Sequence, residues 1–282
     1  MNDDTKRKGK SKTKSDDTGK SSGATQRQLL FYEQATPLSK ERHAKWAVEL
    51  GRNYAFARST NSVPLTRVEF ARAAKEYPIV FAGPEAEPFP LVILGLADRQ
   101  NLFIAADGGW SGDYVPAFVR RYPFVFTSLD DGQTFTLCVD EAFSGCNEDG
   151  RGEQLFDDKG NTTRYLDNVL AFLREYQAEH LRTQAFARRM ATLELLEPVQ
   201  ANVEMTSGQK LALTDFKVVS RTRLKQIGDT ALREMFTSDD LELVYLHLQS
   251  MQAFAGLIAR LPKQDEAQDT LTSTTPNTNE AG

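Results

Sequence analysis

The chain has 282 residues, of which 40% are hydrophobic and 26% are charged, and its formal net charge at neutral pH is −5. This is enough apolar sequence for one large domain or two small ones, and the acidic balance argues against a nucleic-acid partner. No apolar run reaches the length of a membrane span and no apolar segment follows the basic residues near the start, so we expect a cytoplasmic chain without a transmembrane segment or a secretory signal peptide.

Both ends of the chain have the composition of solvated tails. Residues 1–27 are rich in Lys, Ser, Thr, Asp and Gly without apolar periodicity, which predicts a disordered basic tail. Residues 263–282 are rich in Thr, Asn, Gln and Glu and predict a second, polar tail. The folded domain is therefore expected over residues 28–262.

The first predicted elements are two short strands and a helix. We expect the strands at Gln28–Tyr32 and Tyr54–Ala57. Thr66 followed three residues later by Glu69 forms a capping box, which predicts a helix that starts there and ends near Glu76.

Two related segments stand in the middle of the chain, residues 70–81 (FARAAKEYPIVF) and 114–126 (YVPAFVRRYPFVF). Each passes from a short helical piece through a Tyr-Pro step into a dense apolar run. Because proline disfavours the α conformation of the residue before it, each helix should stop at or before the tyrosine. The β-branched and aromatic residues that follow predict buried strands. The similarity has two explanations, an internal duplication or chance.

Further strands are expected after each of these segments. The first should be followed by a strand pair, Leu91–Leu96 and Leu102–Ala105. The second should be followed by Thr134–Asp140, reached through an Asp130-Asp131-Gly132 turn. These pieces predict two helix–strand–strand units.

The C-terminal half is predicted to be mainly helical. Its expected elements are a long helix from about Thr163 to about Leu193 that Pro198 ends, strands Val199–Met205 and Lys210–Val219 around a Ser207-Gly208 turn, short helices near Arg221–Gln226 and Thr230–Met235, and an apolar helix Asp239–Arg260. The predicted fold class is thus α+β: a single mixed domain with an antiparallel-rich sheet, two helix–Tyr-Pro–strand units, a long helix and an apolar C-terminal helix.

Sequence motifs for metal, cofactor or nucleophile chemistry are missing. His43, His180 and His247 do not stand at metal-ligand spacing, and neither CxxC nor G-x-S-x-G occurs. The Gly-rich stretch Asp107–Gly112 lacks the phosphate-binding patterns and reads as a turn. Cys138 is predicted to be a buried thiol, and carboxylates near Cys146 should oppose its ionisation. We predict no metal and no cofactor.

The best candidate site combines Arg42, His43 and Trp46 with Asp140 and Glu141 at the end of a predicted strand. A histidine near a carboxylate can act as a general acid or base, and an arginine with a tryptophan can hold an anionic or planar ligand. Alternatively, His43 and Trp46 pack against a strand edge and Arg42 forms a surface ion pair.

A second basic pair raises the same alternatives. Arg120 belongs to the candidate ligand-binding set, and either it or Arg121 could be buried and paired with Asp140 or Glu141.

Several segments resemble the bacterial SapC family, and the resemblance covers about residues 28–254. They are ERHAKW (41–46), FARSTNSVPL (56–65), EF-x-x-AAKEYPIVFAG (69–83), YVPAFVRRYPFVF (114–126), CVDEAFSG (138–145) and YLDNVLAFLREYQ (165–177). The resemblance implies a role at the cell envelope or surface layer. Members of the family tend to be encoded near halogenase-like, cupin-like and TonB-receptor genes, which implies an accessory role in envelope-linked modification or uptake. It carries over no catalytic residues, so whether the chain is an enzyme stays open.

Three functions are compatible with this resemblance. The favoured one is a non-enzymatic accessory protein whose partner is an envelope- or surface-layer-related protein and whose partner surface includes the apolar C-terminal helix. The second is a small-molecule-binding protein or enzyme that acts with halogenase- or cupin-type partners through a pocket near Arg42, His43 and Asp140. The third is a secreted layer subunit, which the expected lack of a signal peptide and of glycine-rich calcium repeats disfavours.

Overall fold

The computed structural model describes residues 29–128, 134–204 and 210–261, with no side-chain environment for residues 201–212. The two predicted tails and the Asp130-Asp131-Gly132 and Ser207-Gly208 turns lie outside the described residues. The helices and strands before residue 160 are short, and all but one of those after it are longer. They are β1 (Ala35–Pro37), α1 (Lys40–His43), β2 (Ala47–Val48), β3 (Ser62–Pro64), α2 (Phe70–Ala73), β4 (Ile79–Ala82), β5 (Phe89–Ile93), α3 (Ala117–Arg120), β6 (Phe124–Ser128), β7 (Phe135–Asp140), β8 (Cys146–Asn147), β9 (Glu153–Gln154), α4 (Arg164–Thr192), β10 (Leu196–Glu204), β11 (Lys210–Val219), α5 (Arg221–Leu224), α6 (Asp229–Thr237), α7 (Asp240–Ser250) and α8 (Ala253–Ala259), with 3₁₀ turns at Ala55–Ala57 and Arg67–Glu69.

The fold is α+β, as predicted, and every strand pairing within the described part of the chain is antiparallel. The strands form three sheets, with strand orders β10-β11-β4-β5-β3, β1-β7-β6 and β8-β2-β9. The hairpin of β10 and β11 meets the rest of its sheet at one residue pair, Lys217 with Phe81.

The two Tyr-Pro steps act as predicted. Strand β4 starts directly after Pro78 and strand β6 directly after Pro123, and their first residues are buried. The two strands belong to different sheets, because β4 pairs with β5 whereas β6 pairs with β7. The two units therefore contribute to separate layers rather than to a common sheet.

One buried carboxylate joins the two units. Glu69 is 4% exposed and completes the predicted capping box, accepting hydrogen bonds from the Thr66 amide (2.8 Å) and hydroxyl (2.7 Å). Its other oxygen accepts from the Tyr114 hydroxyl and from the amide of Ala117, both at 2.7 Å. Ala117 is the first residue of α3, so a single side chain fixes the start of both helical pieces.

Three predicted strands are wrong. At Gln28–Tyr32 the described residues form a turn, and the first strand is β1, because the amides of Glu33 and Gln34 bind the Asp140 carboxylate instead of a neighbouring strand. Within the predicted strand Tyr54–Ala57, residues Ala55–Ala57 form a 3₁₀ turn. Leu102–Ala105 contributes only an isolated bridge between Ile104 and Trp110. Strand β5 pairs instead with β3 and β4.

The C-terminal half follows the prediction with two corrections. Helix α4 begins after the Thr163 N-cap and ends at Thr192, both close to expectation, but Pro198 does not end it, because the chain already turns at Glu194 with a φ of +53°. Pro198 lies inside edge strand β10, a position that tolerates a missing amide hydrogen. The predicted apolar helix 239–260 is interrupted at Met251 and Gln252 and forms α7 and α8.

Two hydrophobic clusters fill the interior. Cluster 1 gathers apolar residues of α2, β4, β5 and α3 together with parts of α4, α7 and α8, and Trp110 packs against its edge. Cluster 2 is smaller, includes Phe124, Val139 and Leu155, and has Trp46 at its edge. Phe143 and Phe172 pack against both clusters, which makes the interior continuous.

Candidate functional site

Helix α1 positions the predicted site residues Arg42 and His43. The Ser39 side chain caps it by accepting a hydrogen bond from the Arg42 amide at 3.4 Å. The His43 ring is fully buried, and its Nδ1 atom lies 3.2 Å from the Ser39 amide. The Trp46 ring packs edge-on against it, with 4.8 Å between the ring centroids. The short helix thus holds a buried imidazole at the start of the folded region.

Glu141 meets both of these side chains. The Arg42 guanidinium binds it with Nε and Nη2 at 2.5 and 2.6 Å, and His43 Nε2 lies 3.1 Å from the same carboxylate. The hydrogen bonds from Arg42 lower the pKa of Glu141, and His43 lowers it further. The structure therefore brings together Arg42, His43 and the distant Glu141, but as a closed group whose members bind one another.

Asp140 is also occupied by internal contacts. It is fully buried and accepts hydrogen bonds from the amides of Glu33 (3.0 Å), Gln34 (2.9 Å) and Ala142 (3.2 Å) and from the Tyr122 hydroxyl (3.2 Å). These hydrogen bonds anchor the chain before β1 to the end of β7. Asp140 directly precedes Glu141 in the sequence, but the hydrogen bonds that its carboxylate accepts come from backbone amides and from Tyr122.

The two arginines before Tyr122 have different environments. Arg121 is the buried one, and its guanidinium carbon lies 4.0 Å from the ring centroid of Phe118 and 5.2 Å from that of Tyr176. Arg120 is exposed, donates from Nε to the Val115 carbonyl and lies over Tyr114 and Phe172. Arg120 is thus separate from the Glu141 group within the described contacts.

The remaining histidines pack inside the fold, and His180 stacks on the Phe89 ring with 4.5 Å between the ring centroids. His247 is fully buried, accepts from the Val219 amide with Nε2 and donates from Nδ1 to the Ile79 carbonyl, so it links α7 to β11 and β4. Burial lowers its pKa to about 4. Burial also raises the pKa of Cys138, and burial followed by the charges of Asp140 and Glu141 raises that of Cys146 to about 11. The residues that the structure describes contain no group of metal-binding side chains.

A cleft that the sequence did not suggest lies between residues 52–54 and the Gly-rich turn 107–112. Its volume is about 460 Å³, and Arg52, Tyr54, Asp107 and Trp110 are among the residues that line it. The rings of Tyr54 and Trp110 meet at 74° with 5.9 Å between their centroids. A smaller cavity of about 100 Å³ shares Tyr54 with this cleft and reaches Arg120. The Arg120 of the candidate set therefore belongs to this region.

The backbone contacts of the cleft explain its position. The Tyr54 amide donates to the Gly108 carbonyl at 2.7 Å, and the indole Nε1 of Trp110 donates to the Tyr77 hydroxyl at 3.0 Å. A Cβ atom on Gly108 would lie 2.4 Å from Asn53 Oδ1, and this glycine has a φ of +87°. The glycines of the turn 107–112 are a signal of close backbone approach, but the strand predicted at Tyr54–Ala57 gave no indication of their partner.

No helix in the described ranges has both the length and the apolar character needed to cross a bilayer. A family model described as SapC matches residues 38–257, most of the chain. Comparisons with curated proteins and with solved structures find no match.

Proposed function

Since the chain belongs to the SapC family, we propose that it is an accessory protein of the bacterial cell envelope or surface layer that acts by binding rather than by catalysis. Its partner would be an envelope- or surface-layer-related protein. The envelope role rests on what the family resemblance implies.

The binding role is supported by one observation: the predicted acid–base residues already form hydrogen bonds with other groups of the protein. A general base needs an acceptor that can reach a substrate proton. The carboxylate of Glu141 is taken by Arg42 and His43, and that of Asp140 by three backbone amides and a tyrosine. These contacts favour a role in holding the fold together.

The partner surface is proposed on the exposed side of α6 to α8. Most of the apolar residues of α7 and α8 belong to cluster 1, so the apolar richness of these helices mainly serves the interior. Phe236 is nevertheless 73% exposed and Tyr245 is 54% exposed. These rings are suited to the apolar centre of an interface.

The proposal is tested by cross-linking in intact host cells followed by fractionation of cytosol, membrane and surface layer. We expect a fraction of the protein molecules to be cross-linked to envelope or layer proteins. Phe236→Ser should reduce that fraction, whereas Val68→Ser, which changes an apolar residue that is 62% exposed elsewhere, should not. Recovery of the unmodified chain in the cytosol alone would contradict the envelope role.

A second candidate function is a small-molecule-binding protein or enzyme that acts with halogenase- or cupin-type partners. The observation that favours it is the juxtaposition of Arg42, His43 and Glu141, since an imidazole and a carboxylate at 3.1 Å also occur in acid–base pairs. If it is correct, His43→Gln should abolish turnover of a partner's substrate while leaving the fold intact. Unchanged activity of the reconstituted partner system with this variant would exclude it.

A further inference from the structure

The cleft between Arg52–Tyr54 and the turn 107–112 has the components of a site for a quaternary ammonium group. The rings of Tyr54 and Trp110 contact each other in an edge-to-face arrangement at 74°, which forms a corner, and each is only partly buried. Two rings at a large angle can present their faces to one cation, and trialkylammonium groups are recognised in this way by aromatic side chains. Phe103 stacks on Trp110 at 16° and supports the indole from one side.

A negative charge lies in the same turn as the indole. The Asp107 side chain is exposed, and its Oδ1 atom accepts from the Gly109 amide at 2.9 Å. No described residue binds its second oxygen. A carboxylate three residues before Trp110 adds electrostatic attraction for a cation in the aromatic corner.

A positive charge lies on the opposite segment. Arg52 lines the cleft and is exposed, and no described residue forms a hydrogen bond or ion pair with its side chain. An unengaged guanidinium can bind a phosphate or carboxylate through two parallel hydrogen bonds. The cleft thus offers a cation-binding corner and an anion-binding group within one volume of about 460 Å³, which is in the range of small-ligand sites.

The walls of the cleft are held by internal contacts. The Tyr54–Gly108 hydrogen bond joins the two segments, and the Trp110–Tyr77 hydrogen bond fixes the indole orientation. Gly112 allows this approach, since a Cβ atom there would lie 2.8 Å from the Tyr77 hydroxyl. A preformed corner binds its ligand without a large ordering cost.

We propose that this cleft binds a phosphocholine-type zwitterion, with the trimethylammonium group in the corner that the Tyr54 and Trp110 rings form near Asp107 and the phosphate on Arg52. The proposal deepens the binding role proposed above and rests on it, but it concerns the ligand and not the cellular location. Failure of ligand binding would leave the fractionation result unchanged, so the two proposals can be contradicted separately.

The test is a titration of the full chain with phosphocholine, followed by calorimetry and by the fluorescence of Trp110. The chain has two tryptophans, so Trp46→Phe leaves Trp110 as the only indole reporter. We expect phosphocholine to bind more tightly than choline, which lacks the anion, and than phosphoethanolamine, which lacks the methyl groups.

Three variants assign the parts of the site. Arg52→Gln should weaken phosphocholine binding about tenfold and leave choline binding unchanged, because only the phosphate contact is lost. Asp107→Asn should weaken both ligands. Tyr54→Leu should weaken both, whereas Tyr54→Phe, which keeps the ring, should restore binding. Arg233→Gln, at an exposed arginine of α6, is the matched control and should change neither.

Two ligand sources share this chemistry, and vesicles distinguish them. Co-sedimentation with phosphatidylcholine but not with phosphatidylglycerol vesicles would support a lipid headgroup. Binding of soluble phosphocholine without co-sedimentation would support a free or glycan-attached group. The proposal is overturned if neither soluble phosphocholine nor phosphatidylcholine vesicles bind, or if Arg52→Gln weakens choline binding as much as phosphocholine binding. It is also overturned if benzoate, an aromatic anion without an ammonium group, binds more tightly than phosphocholine.

Discussion

At the scale of single residues, ionisable side chains of this protein connect segments that are distant in sequence. Glu141 connects the end of β7 to α1 through two hydrogen bonds from Arg42 and one from His43. His247 connects α7 to two strands of the five-stranded sheet. Both side chains are almost inaccessible to water. A change in their protonation, or in the number of hydrogen bonds that they can accept, should therefore change the free energy of unfolding.

Glu141→Gln should destabilise the fold by roughly 1–2 kcal/mol, because an amide offers one acceptor oxygen where the carboxylate offers two. Urea unfolding at pH 7 measures the difference. Glu49→Gln is the control, since the Glu49–Arg151 pair is exposed on both sides and should contribute less than about 0.5 kcal/mol. Equal effects of the two substitutions would contradict the role assigned to Glu141.

His247 should make the protein less stable in mild acid. Burial lowers its folded-state pKa to about 4 from an unfolded value of 6.5. Between these values the unfolded chain binds the proton and the folded chain does not, so the free energy of unfolding falls as the pH drops from 6.5 towards 4, by on the order of 2–3 kcal/mol in total. The half-buried His180, whose pKa is also lowered by burial, acts in the same direction.

Chemical unfolding at a series of pH values between 4 and 7 measures this dependence. In His247→Gln the slope of the free energy of unfolding against pH should be smaller than in the parent chain, whatever the stability of the variant at pH 7. Identical slopes would assign the acid sensitivity to other groups.

At the scale of elements, the two helix–Tyr-Pro–strand units are joined by contacts that their local patterns do not contain. Arg72 and Arg120 follow the phenylalanines of the two units at the same spacing, and their guanidinium carbons lie 5.7 and 5.9 Å from the ring centroid of Tyr114. Glu69 binds the first turn of α3 in addition to its own capping partner. The Glu69 carboxylate therefore holds both helical pieces in place.

Glu69→Gln should destabilise the protein by roughly 2–4 kcal/mol. Each carboxylate oxygen accepts two hydrogen bonds, so an amide nitrogen on either side would face two donors in the interior. Thermal or urea unfolding measures the effect, with Glu175→Gln at an exposed position of α4 as the control. A loss as small as that of the control would mean that Glu69 is not needed to join the units.

Some elements could be predicted from the sequence because local rules determine them. These are the capping box at Thr66 and Glu69, the strands after Pro78 and Pro123, and the start of α4 at Arg164. The conformation of Tyr54–Ala57 could not be predicted, because the Tyr54 amide donates its hydrogen bond to the distant Gly108 carbonyl. Strand β1 was displaced for the same reason, since the amides before it bind Asp140. Non-local hydrogen bonds decided these elements.

At the scale of the whole molecule, the three sheets and two apolar clusters of the described residues form one interior. Phe143 and Phe172 contact both clusters, and Glu69 and Asp140 hold the segments around them. Among the candidate residues, Arg42, His43 and Glu141 could be grouped from the sequence because each carries chemistry that suggests a site. The cleft at Tyr54 and Trp110 could not, because its lining residues combine two turns whose approach is tertiary.

The two clusters should unfold together. Trp46 packs against cluster 2 and Trp110 against cluster 1, so Trp46→Phe and Trp110→Phe each leave one fluorescent reporter. We expect each reporter's urea transition to coincide with the loss of circular dichroism in the same variant, as a cooperative domain requires. A fluorescence transition that precedes the circular-dichroism transition would identify a cluster that opens on its own.

The protonated state of the two thiols has a practical consequence for handling the protein. The thiolate is the form that attacks alkylating reagents. Burial with the nearby carboxylates raises the pKa of Cys146 and favours its unreactive thiol at neutral pH, and burial does the same for Cys138. Iodoacetamide should therefore modify the native chain slowly. The buried Cys138 sulfur should react when β7 separates from a neighbouring strand, so its rate of modification measures how often β7 opens.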